Sequence, residues 1–172
     1  HVADALGVRV YRGEEQDVLA RYLGAAREAR ADVVVRITAD CPFVFPAIVD
    51  RVASFNAHVY DFSSNSVVRT WPKGCDVEAM TMDLLERMAR LADTPGSREH
   101  VCTWAYREHP ELVLIRKVCE HDDQSHLSWT LDTQDDYERL TKLVQRAGAD
   151  NMDYRSVLEV EYAHAHDEDV KV

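Results

Sequence analysis

The chain has 172 residues, of which 46% are hydrophobic and 30% are charged. These proportions are typical of a globular protein, and we predict a single domain over residues 1–172. The formal net charge of −11 argues against a nucleic-acid polymer as partner, because such binding needs a basic surface. No apolar run approaches the roughly 18 residues of a membrane span, so we expect no membrane partner. Four scattered cysteines without a Cys-x-x-Cys pair favour a reducing, cytoplasmic location.

Predicted strands and helices alternate along the chain. The strands are predicted at 8–11, 33–37, 60–63, 77–80, 112–118 and 128–131. The helices are predicted at 18–29, 46–55, 82–91, 97–107, from Thr133 onward, and at 153–163. Such alternation is typical of an α/β fold, in which helices cover the faces of a parallel or mixed sheet.

The strand at 33–37 carries the first candidate functional residues. Its residues are mostly β-branched and apolar, which predicts a strand buried on both faces of the sheet. Asp40 follows it, and Pro42 prevents further extension of a central strand. Ligands of open α/β sheets bind beyond the carboxyl ends of the strands. Asp40 therefore either meets a ligand or metal, or caps the next turn. Arg36 needs an acidic partner or a ligand, because an unpaired buried charge is costly.

A second strand-end acid, Asp132, follows the strand at 128–131. Thr133 and Asp136 then have the spacing of a capping box at the start of a helix. If the two strands are neighbours, Asp40 and Asp132 share one hard divalent cation. Mg²⁺ suits such a site, because it commonly takes one or two carboxylates and completes its shell with water and phosphate.

Six short motifs follow one another in order. They are Gly7-Val-Arg-Val-Tyr-Arg-Gly13, Asp17-Val-Leu-Ala-Arg-Tyr22, Arg36-Ile-Thr-Ala-Asp-Cys-Pro42, Pro72-Lys-Gly-Cys-Asp-Val-Glu78, Arg98-Glu-His-Val101 and Leu131-Asp-Thr-Gln-Asp-Asp-Tyr137. Over residues 6–146 they resemble the cytidylyltransferases of surface-polysaccharide biosynthesis, the spore-coat polysaccharide type. That group is related to the acylneuraminate and 3-deoxy-octulosonate cytidylyltransferases. The resemblance implies a three-layer, Rossmann-like fold of the nucleotide-diphospho-sugar transferase type, with a mixed, mostly parallel sheet and flanking helices.

The resemblance also implies an activity, the transfer of CMP from CTP to a sugar or sugar-acid hydroxyl. Asp40, Asp132 and His100 are then the expected catalytic residues, with Mg²⁺ held by the two aspartates. The expected substrate-binding residues are Arg36, Asn65, Lys73, Asp76, Glu78 and Arg98.

The polar residues of this set have simpler interpretations as well. Asp76 and Glu78 flank Val77, so on a strand they point to one face. That face contacts either a sugar or only solvent. Arg98 and His100 open a predicted helix, where they bind an anionic substrate, or form a surface ion pair and a cap.

Two departures from the family pattern leave other functions open. The N-terminal strand and phosphate-gripping loop, with its Gly-Ser-x-Arg signature, is not found, so we expect the chain to lack its first strand-loop-helix unit. Phe45 stands where relatives usually carry an acid. The alternatives are a glycosyltransferase of the same fold and a truncated, non-catalytic scaffold. The resemblance also implies a homodimer through residues 70–110. Trp71, Met80, Met82 and Trp104 either form an apolar patch there or pack in the core, which leaves the oligomeric state open.

Overall fold

The computed structural model describes residues 2–148 and 152–169. Seven α-helices occur in these residues: α1 (Val2–Ala5), α2 (Val18–Ala29), α3 (Pro46–Ala53), α4 (Met82–Leu91), α5 (Pro95–Glu99), α6 (Gln134–Ala147) and α7 (Tyr154–Asp169). Four strands form one sheet: β1 (Val33–Arg36), β2 (Phe62–Ser64), β3 (Glu78–Thr81) and β4 (Ile115–Lys117). A π-helical turn (Trp104–Glu108) and a 3-10 turn (Pro110–Leu112) complete the regular structure of the described residues.

The sheet is mixed and has the strand order β1-β3-β2-β4. This confirms the predicted α/β class. The sheet was expected to be mostly parallel, and it is not, because β3 runs antiparallel to both β1 and β2. Among the described strands only β2 and β4 pair in parallel.

The sheet separates two hydrophobic cores, which confirms the three-layer arrangement. Successive residues of a strand point to opposite faces, and Ala79 and Met80 of β3 accordingly enter different cores. The Ala79 core includes buried side chains of α3, α6 and α7. The Met80 core includes those of α2 and α4.

Three strand predictions are wrong. Residues 128–131 do not form a strand: Ser128 makes only an isolated bridge, with Lys73. Residues 33–36 do form a strand, but Val33 and Val35 each retain 37% exposure. The physical reason is position: β1 is an edge strand that pairs with β3 alone. Residues 8–11 are not a strand, since they pair with no strand that the structure describes and leave Val8 and Val10 exposed.

The helix predicted at 97–107 is interrupted. Thr94, not Ser97, caps α5 by accepting a hydrogen bond from the Ser97 N–H at 3.1 Å. The break falls at Val101, which has a φ of 51°. The N–H of Cys102 donates to the His100 carbonyl at 2.6 Å, which closes a tight turn. A β-branched residue rarely adopts such a φ, so sequence propensity favours an unbroken helix here.

Other helix predictions are confirmed. α2 spans the predicted residues 18–29, and Asp17 caps it through the Ala20 N–H at 2.8 Å. The capping box is present at α6, where Thr133 and Asp136 exchange side-chain and backbone hydrogen bonds. In the part of the chain that the structure describes, no helix is long and apolar enough to cross a membrane.

The predicted dimer patch is not a surface. Trp71, Met80 and Trp104 are all buried within the chain itself, and only Met82 is partly exposed. Trp71 belongs to one hydrophobic core and Met80 and Trp104 to the other. Because these side chains already pack inside one copy, they cannot form the proposed interface with a second.

Candidate functional site

A polar cavity of about 580 Å³ lies at one end of the sheet, where β1 and β2 end and β3 begins. It opens on the side of the sheet that faces the Met80 core. Its wall is formed by Arg36, Thr38, Ser66, Val67, Arg69, Asp76, Glu78, His100, Thr103, Tyr106 and Arg107. Four of the residues predicted to bind substrate or act in catalysis therefore lie together: Arg36, Asp76, Glu78 and His100.

Arg36 and Glu78 form the innermost ion pair of this wall. They lie directly opposite each other in the pairing of β1 with β3, and Arg36 Nη1 is 2.6 Å from Glu78 Oε2. Burial alone lowers the pKa of Arg36, but the Glu78 charge and hydrogen bond outweigh it and the pKa is raised. The guanidinium carbon also lies 5.9 Å from the centroid of the Tyr22 ring. The acidic partner predicted for Arg36 is thus confirmed.

A second ion pair, between Arg69 and Asp76, lies beside the first. Two nearly parallel hydrogen bonds of 2.6 and 2.8 Å join the guanidinium to the two carboxylate oxygens. These bonds and the Asp76 charge raise the pKa of Arg69. Bidentate pairs of this kind fix the orientation of both groups, so the oxygens of Asp76 have a defined place in the wall.

The outer wall comes from the segment after α5. His100 precedes the tight turn at Val101, and Thr103, Tyr106 and Arg107 follow it on or beside the π-helical turn. π-Helical turns are rare and frequently occur at functional sites. The strained φ of Val101 is held by packing, because its side chain is fully buried. The turn thus presents one imidazole, two hydroxyls and one guanidinium to the cavity.

The backbone just before Asp132 contacts the backbone of Asp40. The N–H of Leu131 donates to the carbonyl of Asp40 at 2.9 Å, so Asp132 follows directly after the residue that contacts Asp40. Thr38, two residues before Asp40, lines the cavity. Asp40 is half-buried and Asp132 is exposed, and neither carboxylate forms an ion pair with a residue that the structure describes.

Asp40 and Asp132 offer carboxylate oxygens, which are the kind of donor that Mg²⁺ takes in proteins. Within residues 2–148 and 152–169, no group of three or more His, Cys, Asp or Glu side chains is arranged to hold a metal. Mg²⁺ does not need such a group, because one or two carboxylates together with substrate phosphates suffice. The Asp40 carboxylate accepts one hydrogen bond, from the Cys41 thiol at 3.8 Å, and both carboxylates are partly solvated donors of that type.

Three residues predicted to bind substrate lie outside the cavity wall. Asn65 is fully buried, where its amide donates to the Cys75 carbonyl and its oxygen accepts from the Val77 N–H, each at 2.8 Å. This role is structural, since both ends of the amide are used to hold the backbone before β3.

Arg98 likewise forms its hydrogen bonds with residues outside the cavity wall. Its Nε lies 3.0 Å from Asp17 Oδ2, its Nη2 contacts the same oxygen, and its Nη1 donates to the Ala89 carbonyl at 2.8 Å. The guanidinium therefore joins α5 to the start of α2 and the end of α4. In the structure it therefore lies outside the cavity wall, and its donors are used within the chain.

Lys73 is exposed, and its backbone pairs with the segment that leads to Asp132. Its N–H donates to Leu127 at 2.9 Å, and its carbonyl accepts from the Trp129 N–H at 2.6 Å. Gly74 follows with a φ of 99°, and a Cβ there would lie 2.6 Å from the Trp129 carbonyl carbon. The glycine is thus required by this close approach.

Phe45, the residue that replaces an acid of the family pattern, is part of the core. It is buried and its ring lies 6.1 Å from that of Trp129 and 5.7 Å from that of Tyr154, measured between centroids. An acid in this aromatic environment would be costly. Phenylalanine at this position therefore suits its aromatic, apolar surroundings.

Sequence reasoning missed seven residues of the wall: Thr38, Ser66, Val67, Arg69, Thr103, Tyr106 and Arg107. Thr38 lies in the motif that ends at Pro42, two residues before Asp40. This position beside a candidate site residue could have predicted that Thr38 lines the site. Arg69 and Arg107 gave no local signal, because single arginines are common on protein surfaces and neither lies in a motif that indicates a site.

A polar cavity at the ends of the strands is where open α/β sheets bind their ligands. The comparisons with known proteins define the family more closely. The family model described as "Cytidylyltransferase" matches residues 1–160. The chain therefore belongs to the cytidylyltransferase family.

Individual relatives agree with this assignment. The chain is 30% identical over 163 residues to an uncharacterised protein of Methanocaldococcus jannaschii, covering 92% of this chain and 65% of that protein. It is 30% identical over 144 residues to the spore coat polysaccharide biosynthesis protein SpsF of Bacillus subtilis, covering 83% of this chain and 59% of SpsF. The chain thus spans about three fifths of the length of these relatives.

A solved structure matches as well. It is a cytidylyltransferase from Leptospira borgpetersenii serovar Hardjo-bovis, with a TM-score of 0.90 and 30% identity. The match covers 96% of this chain and 70% of that chain. The described fold is therefore the fold of a cytidylyltransferase.

Proposed function

We propose that the protein transfers CMP from CTP to a hydroxyl of a sugar or sugar acid, for the biosynthesis of a cell-surface polysaccharide. One observation carries the proposal: the 2.9 Å hydrogen bond from the Leu131 N–H to the Asp40 carbonyl holds the backbone just before Asp132 against the backbone of Asp40. Family membership and the similarity to SpsF support the same class of reaction.

Asp40 and Asp132 would hold Mg²⁺ in this proposal. When bound, the ion would neutralise charge on the triphosphate. The rest of the catalysis would come from positioning the two substrates and from electrostatic stabilisation of the transferring phosphate, as in phosphoryl transfer generally. This assignment rests on the two carboxylates described above, neither of which forms an ion pair with a residue that the structure describes.

The cavity is the proposed sugar site. Hydroxyl oxygens of a sugar are both donors and acceptors, and the wall offers both kinds of partner. The carboxylates of Asp76 and Glu78 accept hydrogen bonds, and the side chain of Thr103 donates or accepts. Both carboxylates are held in place by arginines, so the site is preorganised.

The reaction is an in-line displacement at the α-phosphorus. The sugar oxygen forms a new bond to that phosphorus, the bond from the α-phosphorus to its bridging oxygen breaks, and pyrophosphate leaves with the electron pair. The sugar hydroxyl loses its proton, for which His100 is the proposed acceptor. His100 is exposed and lines the cavity, so it has access to a bound hydroxyl.

Pyrophosphate release tests the proposal. The full-length natural protein is incubated with CTP, Mg²⁺ and a panel of sugars and sugar acids. We expect release that requires all three components, with UTP and ATP giving much less. Hydrolysis of CTP that is independent of any sugar, or release with no member of a broad panel, would contradict the proposed transfer.

A further inference from the structure

A buried hydroxyl links α5 to the far end of the π-helical turn. The side chain of Ser97 is fully buried, and its Oγ lies 2.7 Å from each carboxylate oxygen of Glu108. Because an ionised carboxylate only accepts hydrogen bonds, the Ser97 hydroxyl is the donor. Hydrogen bonds to a charged group are stronger than those between neutral groups. The bond therefore closes the chain between Ser97 and Glu108 into a loop.

The neighbouring Thr94 fixes the direction of the Ser97 hydroxyl. Thr94 Oγ1 accepts a hydrogen bond from the Ser97 N–H at 3.1 Å, and the two hydroxyl oxygens are also in hydrogen-bond contact. Since the Ser97 proton is directed to Glu108, it is Thr94 that donates between the two hydroxyls. Each hydroxyl thus donates once and accepts once, which gives the Ser97 side chain a single orientation.

α5 is a fixed support for this link. Arg98, the residue after Ser97, has its Nε 3.0 Å from Asp17 Oδ2 at the start of α2, and its Nη1 donates to the Ala89 carbonyl in α4 at 2.8 Å. Both α2 and α4 pack in the Met80 core. The position of Ser97 is therefore set by the core, and its hydroxyl carries that position to Glu108.

Glu108 is the last residue of a turn with an unusual hydrogen-bond spacing. The N–H of His109 donates to the carbonyl of Trp104, five residues earlier, at 2.8 Å, whereas an α-helix uses a spacing of four. The two spacings direct the later side chains of a turn differently. In the observed one, Tyr106 lines the cavity, and its ring is stacked on Phe62 with the centroids 6.3 Å apart.

We infer that Ser97 and Glu108 are positioning residues, whose hydrogen bond holds the π-helical spacing and thereby places Tyr106 in the wall of the proposed sugar site. Both residues lie outside that wall, so they act through the turn. The inference rests on the proposed function, in which the cavity binds the sugar. It predicts that loss of the bond weakens binding of the acceptor and leaves binding of CTP unchanged.

Amide hydrogen exchange of the full chain tests the link without any substrate. Ser97→Ala removes the donor, and Glu108→Ala removes the acceptor from an exposed position, so at least the second variant should fold. In both we expect the His109 amide to exchange about tenfold faster, as for the loss of one hydrogen bond to a charged group. The Ala105 amide, which donates to the Cys102 carbonyl at 2.9 Å, should keep its wild-type rate.

Two further variants separate the bond from its surroundings. Glu108→Gln keeps an acceptor for the Ser97 hydroxyl but not the charge, so its effect should be smaller than that of Glu108→Ala. Glu99→Gln is the matched control, because Glu99 is an exposed glutamate on α5. It should change neither the exchange of His109 nor the kinetics.

Steady-state kinetics then connect the link to the reaction. The acceptor used is the sugar or sugar acid that gives the fastest pyrophosphate release by the wild type. In Ser97→Ala and Glu108→Ala we expect the KM for that acceptor to rise about fivefold or more, with the KM for CTP unchanged. A mere loss of folded protein would lower the apparent kcat and leave both KM values as they are.

Three results would overturn the inference: a wild-type exchange rate at His109 in both alanine variants, an unchanged KM for the acceptor in both, or equal effects of Glu108→Ala and Glu99→Gln. Failure of the proposed function is distinguishable from these. A wild type that releases no pyrophosphate with any sugar contradicts the transferase proposal, and the exchange of His109 still decides whether the link holds the turn.

Discussion

Arg36 and Glu78 are opposite each other on paired strands, and their 2.6 Å ion pair is also part of the cavity wall. Their side chains are only 18% and 7% exposed. Stability and ligand binding therefore depend on the same pair, although in different ways.

Removing one member of this pair should destabilise the fold. Glu78→Leu leaves the Arg36 charge without its partner, and we expect a loss of about 3 kcal/mol in the free energy of unfolding. The double variant Arg36→Met/Glu78→Leu should recover most of this loss, because apolar side chains of similar size replace a buried pair well. Urea unfolding measures both.

An exposed ion pair provides the control for this comparison of single and double variants. Arg27 and Glu86 are 60% and 45% exposed, and Glu86→Leu should cost less than about 1 kcal/mol. The single variant Arg36→Met is measured as well. If the double variant loses as much stability as Arg36→Met and Glu78→Leu added together, the two side chains do not stabilise the fold through their ion pair.

The ion pair between Asp17 and Arg98 predicts a dependence of stability on pH. Burial alone raises the pKa of Asp17, but hydrogen bonds from Arg98 and from the Ala20 N–H and the positive charge of Arg98 outweigh it. The net result is a pKa below the ordinary value of 3.8. A carboxyl with a depressed pKa stabilises the fold above its ordinary pKa, and that contribution is lost as the pH falls through the lower, folded-state value.

Asp17→Asn isolates this charge, because asparagine caps helices as well as aspartate does. We expect the variant to be about 1 kcal/mol less stable at pH 7, with the difference shrinking below about pH 4 as the wild-type carboxyl becomes protonated. Urea unfolding between pH 7 and 3 measures it, with the exposed Asp93→Asn as control. A difference that stays constant over this range would refute the assignment.

The close approach at Gly74 predicts intolerance of any side chain. Gly74→Ala places a Cβ 2.6 Å from the Trp129 backbone at a φ of 99°, and strain of this kind costs about 1–3 kcal/mol. Gly96→Ala is the matched control, because nothing lies within 4 Å of its Cβ position. Thermal unfolding of both variants decides the point, and equal melting temperatures would mean that the loop has another conformation in solution.

The features predicted correctly from the sequence are those set by local patterns. The bounds of α2, the capping box at Thr133 and the common face of Asp76 and Glu78 follow from spacing alone. The acidic partner required by Arg36 followed from the cost of an unpaired buried charge. Its identity did not, because strand pairing determines it.

The features that were missed depend on contacts between distant parts of the chain. Val33 and Val35 read as fully buried, but β1 is an edge strand. The tryptophans predicted on a dimer surface fill the cores. Val101 adopts a positive φ, which a β-branched residue disfavours. The break in the helix at this residue therefore depends on tertiary packing and could not be predicted from the local sequence.

The most direct test of the central claim is a calorimetric titration of the full-length natural protein with CTP. It is run with Mg²⁺ and with EDTA, on the wild type and on Asp40→Asn, Asp132→Asn and the control Asp93→Asn. We predict binding that requires Mg²⁺, is lost in the first two variants and is unchanged in the third. Equal affinity with Mg²⁺ and with EDTA, or unaltered binding in Asp40→Asn and Asp132→Asn, would contradict the metal site. No binding of CTP by the wild type would favour a scaffold over an enzyme.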